Sequence, residues 1–126
     1  MAKNIFRIAV IGAGETGTPL LEKLLDAPFV EVLGVADLDA DAPGMRLARS
    51  RKVATTTDCM DLARLGEAVD VLIDVTGVAA VRETLRQHMQ DSGNHHTLIV
   101  QETVVQLMLS LLSGRLVRLK HGVEDY

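Results

Sequence analysis

Ile5-Phe-Arg-Ile-Ala-Val-Ile-Gly12-Ala-Gly14-Glu15-Thr16-Gly17 is a short apolar strand that runs straight into three glycines spaced Gly-x-Gly-x-x-Gly. Each glycine has a separate physical reason to be there. Gly12 permits the tight turn out of the strand, Gly14 lets backbone come close to a pyrophosphate, and Gly17 lets the next helix pack against the sheet. Phosphates placed over this turn face free backbone N–H groups at the positive end of that helix. The helix is predicted from Thr16 to Leu25, with Leu20, Leu21, Leu24 and Leu25 on one face, and a second strand follows from Val30 to Ala36. Asp37 ends that run 20 residues beyond Gly17, where a carboxylate can accept hydrogen bonds from both hydroxyls of an adenosine ribose. The order of parts implies an NAD site. Glu15 and Thr16, inside the loop, are expected among its lining residues. Glu15 brings a negative charge into the phosphate loop, tolerable if it points to solvent, and Pro19 removes one N–H from the first turns of the helix.

Outward from this stretch, strands and helices alternate to residue 113. Strands are predicted at about 5–11, 30–36, 52–54, 70–74 and 97–100, and helices at about 15–26, 43–50, 58–66, 78–91 and 102–113. Such alternation implies an α/β fold, a Rossmann-like doubly wound parallel sheet of five or six strands with helices on both faces. Ala27-Pro28 and Asp39 to Gly44 supply turns, and Ser92-Gly93-Asn94 ends the fourth helix as a left-handed cap would. Residues 1–114 are expected to form one dinucleotide-binding domain, with 115–126 a C-terminal tail or last strand. The fourth strand leads into Thr76-Gly77, in the loop that closes the crevice opposite the glycine turn. Thr76 is placed either to hydrogen-bond a ribose or phosphate or to cap the following helix; Gly77 would let backbone approach the nicotinamide half.

Composition narrows the function. The chain has 126 residues, enough for one domain and short for a two-domain dehydrogenase; 48% are apolar and 24% charged, which argues against disorder. A formal charge of −4, with Phe6, Phe29 and Tyr126 the only aromatics, supplies neither the positive field nor the stacking platforms of a nucleic-acid binder. Apolar runs are too short to span a bilayer, and Met1-Ala-Lys-Asn goes directly into the first strand, so no signal peptide is expected and a cytoplasmic protein is. The single Cys59 has no internal disulfide partner and reads as a half-buried residue near a helix start.

Three segments, Val10-Ile-Gly-Ala-Gly-Glu-Thr-Gly17, Leu33-Gly-Val-Ala-Asp37-Leu-Asp39 and Asp70-Val-Leu-Ile-Asp74-Val-Thr-Gly77, carry a family likeness. The chain resembles the N-terminal NAD(P)-binding domain shared by the glucose-fructose oxidoreductase/inositol dehydrogenase group and by homoserine and aspartate dehydrogenases. It is most similar to stand-alone or sensor-fused bacterial versions. The resemblance covers roughly residues 4 to 100. It implies that Gly12, Gly14 and Gly17 hold the pyrophosphate, Asp37 the adenosine ribose, and Thr76 with Gly77 the nicotinamide side. Two departures stand out. Where the sugar oxidoreductases carry Glu-Lys-Pro after the fifth strand, this chain reads Val100-Gln-Glu-Thr-Val104. Where they have a Pro and a His at the fourth helix, it reads Val78-Ala-Ala-Val81. The relatives also hold substrate in a second, C-terminal domain.

The remaining ionisable groups suggest little chemistry. His95-His96 lack the convergent partners of a metal site and read as a solvated turn. Arg46, Arg49, Arg51 and Lys52 read as a solvated helix face, since Asp37 would repel a 2′-phosphate. Of the two acids flanking the fourth strand, Asp70 is expected to cap or be solvated and Asp74 to lie near the crevice. No catalytic and no metal residues are expected. The chain reads as a cofactor-sensing or regulatory NAD-binding module, with the cofactor half of an NAD-dependent oxidoreductase as the alternative. Residues 103–113 hold more apolar side chains than one helix face can bury, so a homodimer through this helix, or a fused sensor or catalytic domain covering it, is expected, with a tail from Arg115 to Tyr126 folded back over it as the alternative.

Overall fold

The computed structural model describes residues 4–15 and 17–118. In chain order they form β1 (Phe6–Ile11), α1 (Gly17–Asp26), β2 (Val30–Ala36), α2 (Pro43–Ser50), β3 (Thr55–Thr56), α3 (Met60–Ala63), β4 (Val71–Asp74), α4 (Ala79–Ser92), β5 (Leu98–Gln101) and α5 (Glu102–Ser113). The sheet runs β3-β2-β1-β4-β5, and every neighbouring pair is parallel. The chain therefore builds outward from β1 to one edge, crosses back to β4, and builds out to the other. That reversal opens a crevice beyond the C-terminal ends of β1 and β4, the switch point of a doubly wound, Rossmann-like fold.

Strand periodicity divides the core in two. Ile8, Val10, Val35 and Ile73 meet Leu20, Leu21, Met45, Ala48 and Val105, so α1, α2 and α5 cover one face. Ala9, Ile11, Ala36 and Leu72 meet Leu62, Ala63 and Leu85, so α3 and α4 cover the other. Leu21, Met45, Leu72 and Leu85 are fully buried, each worth about 1.5–3 kcal/mol in surface removed from water. One irregularity interrupts the ladder. Pairing of β1 with β2 steps from Ile8 opposite Val32 to Ala9 opposite Gly34, leaving Leu33 as an extra residue.

Two expected elements are corrected. The strand at 52–54 lies instead at Thr55–Thr56. Arg51 and Lys52 are spent on the turn out of α2, where Lys52 takes a left-handed φ of 64° and the Val53 N–H returns to the Ala48 carbonyl at 2.8 Å. The helix at 58–66 is cut to Met60–Ala63, because Gly66, at φ 65°, breaks the run and starts a short 3-10 turn over Gly66–Ala68. The sheet has five strands among the described residues. Beyond α5, residues 115–118 are irregular and fold back: the Val117 N–H donates to Ser110 Oγ at 2.8 Å and its carbonyl accepts from Gln106 Nε2 at 2.9 Å. The rest of the expected tail or last strand lies outside the described residues. Among the described residues no helix is long and apolar enough to cross a membrane.

Candidate dinucleotide-binding site

The glycine loop is shaped by close approach. Gly12 has φ 105°, and its N–H donates to the Ala36 carbonyl at 2.8 Å, tying the turn to the end of β2. A Cβ on Gly12 would meet Val75 Cγ2 at 2.9 Å, and one on Gly17 would run into the Gly12 carbonyl oxygen, so α1 starts directly against the turn. A Cβ on Gly14 would meet nothing within 4 Å. Gly14 thus faces open space where the first and third glycines face protein, and that space is where a phosphate would sit over the start of α1. Thr16 lies outside the described residues.

Asp37 is drawn into the same loop. Its Oδ2 accepts the Ala13 N–H at 2.7 Å and its Oδ1 accepts the Asp39 N–H at 2.9 Å. A carboxylate has about four acceptor positions, so capacity remains on both oxygens for two ribose hydroxyls. Glu15, Asp37 and Asp39 line an open crevice of about 920 Å³ together with Gly12, Gly14 and Gly17. A smaller, mostly apolar hollow of about 320 Å³ adjoins it, lined by Ile11, Ala36, Leu38, Cys59, Thr76 and Val81. Its apolar lining beside Asp37 suits a flat heteroaromatic ring. Leu38, Cys59 and Val81 were not legible as site residues. Only Leu38 carries a signal, as a leucine placed directly after Asp37; the structure leaves it 77% exposed.

Thr76 is only 1% exposed. Its N–H and hydroxyl both donate to Asp74 Oδ1, at 3.0 and 2.7 Å, and its oxygen accepts the Val78 N–H at 3.1 Å. The hydroxyl therefore orders the loop from β4 into α4 while bordering the apolar hollow, and the exposed Gly77 follows it at φ 70°. Burial pushes the Cys59 thiol above its ordinary range, and the Asp58 and Asp74 carboxylates push the same way. A thiol held protonated is a poor nucleophile.

Asp70 is not solvated as one expectation had it. It is buried at the start of β4, accepting the Arg7 N–H at 2.9 Å and facing His96 Nε2 at 2.8 Å, so it ties β1 and the β5 approach together. Among the described residues no three His, Cys, Asp or Glu side chains are grouped to hold a metal ion. Arg46, Arg49, Arg51 and Lys52 are exposed; Arg49 and Arg51 reach Asp41 and Asp26 at 3.9 and 3.2 Å.

Comparison with known proteins identifies the family and the fold. The family described as "Homoserine dehydrogenase, NAD binding domain" matches residues 12–98, which include every glycine of the loop, Asp37, Thr76 and Gly77. Acetaldehyde dehydrogenase 2 of Salinispora arenicola is 37% identical over 71 residues, covering 56% of this chain and 24% of that protein. The chain spans about a quarter of the length of the curated relatives it matches. Among solved structures, GenD2 from gentamicin A biosynthesis, in complex with NAD, has a TM-score of 0.59 at 22% identity, over 95% of this chain and 33% of that one. Saccharopine dehydrogenase (L-Glu forming) from Saccharomyces cerevisiae has a TM-score of 0.57 at 17% identity, over 76% of this chain and 21% of that one. Both show the fold. With the family matched over more than half of its length, the chain belongs to the homoserine dehydrogenase NAD-binding domain family.

Proposed function

We propose that this chain is a cytoplasmic NAD-binding module that senses the cofactor and reports its state to a partner or attached domain, without hydride transfer of its own. The observation that carries this reading is the shape of the glycine loop: its turn is closed on protein at Gly12 and Gly17 and open at Gly14, with Asp37 facing the same crevice. Backbone N–H groups at the start of α1 would take the pyrophosphate, Asp37 the adenosine ribose, and the hollow around Leu38 and Val81 the adenine. Bound NAD supplies a hydride acceptor. The ionisable groups of the described crevice and hollow are Glu15, Asp37, Asp39 and Cys59, with Asp37 and Cys59 on the adenosine side in this reading. Asp37 is engaged with backbone, and the Cys59 thiol is held protonated, so neither is poised to move a substrate proton.

A second reading is favoured by the curated relatives, acetaldehyde dehydrogenases more than twice as long as this chain. In it the chain is the cofactor half of an NAD-dependent oxidoreductase, whose substrate domain belongs to a further stretch of polypeptide or to another chain. Calorimetric titration with NAD, NADH and NADP, followed by assays for NADH formation with aldehydes, sugars, polyols and amino acids, tests the cofactor site that both readings share; the full reading frame separates them, a β-rich continuation with a Lys or His site favouring the enzyme and a helical sensor or kinase continuation the module. Saturable NAD binding without turnover is expected. Turnover above a Gly14→Asp control would favour the enzyme, and no saturable NAD binding would overturn both.

A further inference from the structure

The Ala13 peptide, between the first two glycines, is held from both sides. Its N–H is accepted by Asp37 Oδ2 at 2.7 Å, and its carbonyl accepts the Gly44 N–H at 2.8 Å; the Thr18 hydroxyl lies 3.2 Å from that carbonyl but is closer, at 2.7 Å, to the Gly14 carbonyl. Gly44 lies in the first turn of α2 and is buried. A Cβ built on it would meet Ala13 Cβ at 2.8 Å, Ala13 O at 2.9 Å and Ala13 Cα at 3.1 Å. Contacts that short with backbone cannot be relieved by a rotamer change, so either the first turn of α2 or the Ala13 peptide has to move. A glycine within a helix ordinarily costs stability relative to alanine; here a close approach to the phosphate loop accounts for it.

We infer that Gly44 is a positioning residue for the dinucleotide: by letting the first turn of α2 lock against Ala13, it sets the glycine loop in its phosphate-receiving shape before ligand arrives. This rests on the dinucleotide reading of the crevice. Gly44 itself does not line the crevice, although its neighbours Ala42 and Pro43 do. It acts through Ala13, whose peptide orientation decides where the next N–H groups point. The part of the ligand that depends on it is therefore the pyrophosphate. The adenosine ribose depends on Asp37, which keeps its second anchor on the Asp39 N–H.

Gly44→Ala tests this in two measurements. Amide NMR of the ligand-free chain should show resonances of residues 12–15 displaced, with those of β4 and α4 unmoved. Calorimetry should show the affinity for ADP and NAD falling by about tenfold or more relative to that for adenosine, since small misplacements of binding groups are costly. A second change, Ala13→Gly, removes one of the clashing atoms and should restore part of the loss, a coupling that general destabilisation would not produce. If Gly44→Ala does not fold alone, the double variant Gly44→Ala/Ala13→Gly, which keeps the 2.9 Å contact with the Ala13 oxygen, should still displace the same amides relative to Ala13→Gly alone. Unmoved loop amides in whichever variant folds, or an ADP-to-adenosine affinity ratio equal to wild type, would overturn the inference. A wild-type chain that binds neither ADP nor NAD would overturn the functional reading instead, and the ligand-free spectra would still decide the role of Gly44.

Discussion

At Asp37, one carboxylate holds the Ala13 N–H and, in the proposed reading, would also accept ribose hydroxyls. Asp37→Ala should therefore weaken NAD binding by about 1.5–3 kcal/mol, roughly ten- to a hundredfold, because both tasks involve charge-assisted hydrogen bonds. The preference for NAD over NADP should shrink with it, since the carboxylate that repels a 2′-phosphate is gone; calorimetry with both cofactors checks this. Equal or tighter NADP binding by the wild-type chain would defeat the assignment. Cys59 offers a second test. With its thiol held protonated by burial and by Asp58 and Asp74, alkylation by iodoacetamide should be slow at neutral pH and should accelerate only above the range where an exposed cysteine reacts. The raised value also means that any stability drawn from the neutral thiol is present at low and neutral pH and is lost as pH rises through its folded value. Saturating NAD should slow the labelling further, because Cys59 lines the hollow assigned to adenine.

Among the elements, the turn from α4 into β5 depends on a buried polar set. Asn94 Oδ1 accepts the His96 and Thr97 N–H groups at 2.9 and 3.1 Å, its Nδ2 donates to Thr97 Oγ1 at 2.8 Å, and that hydroxyl donates to the Val69 carbonyl at 2.6 Å. Asn94→Ala strands the buried Thr97 N–H and the part-buried His96 N–H and should lower stability by about 1–3 kcal/mol, read as a lower urea midpoint at an unchanged slope. The sequence pointed to this turn through Ser92-Gly93-Asn94, and to the spans of β2, α2 and α5, because glycine, proline and strict periodicity mark those boundaries locally. It did not show that Asn94 would serve Thr97 and Val69, nor that Gly44 would touch Ala13, since those partners meet only when the sheet assembles. β3 was placed too early for a similar reason. Val53 has the propensity of a strand residue, but the turn that frees the chain from α2 uses Arg51 and Lys52 first. In the site, the glycines and Asp37 were legible because backbone geometry dictates them, while the apolar hollow draws on four separate segments.

For the molecule as a whole, the open question is what meets α5. Val105 is buried against the sheet, but Leu107, Leu111 and Leu112 are 57, 72 and 67% exposed, with Val104 and Met108 beside them. The fold-back at Val117 bonds to Gln106 and Ser110 and leaves these side chains in solvent. We propose that a second copy packs on this face about a two-fold axis, an arrangement that suits a helix whose outward side is apolar and uncharged. Light scattering should then give a dimer for the wild-type chain and a monomer for Met108→Asp and Leu112→Asp. A wild-type monomer at high concentration, or a dimer that survives both changes, would show that this helix is not the interface.

The extra Leu33 in β2 bears on how the distance from glycine turn to acid should be counted in related chains. Without it, Gly34 would follow Val32 in regular pairing, and Val35 and Ala36 would keep both their β1 partners and their faces. One residue can thus be gained or lost at this point while the carboxylate stays where it is. The interval between Gly17 and Asp37 is a property of the ladder's slack rather than a ruler. A relative with one residue fewer between its last glycine and its acid would present that acid to the ribose in the same place.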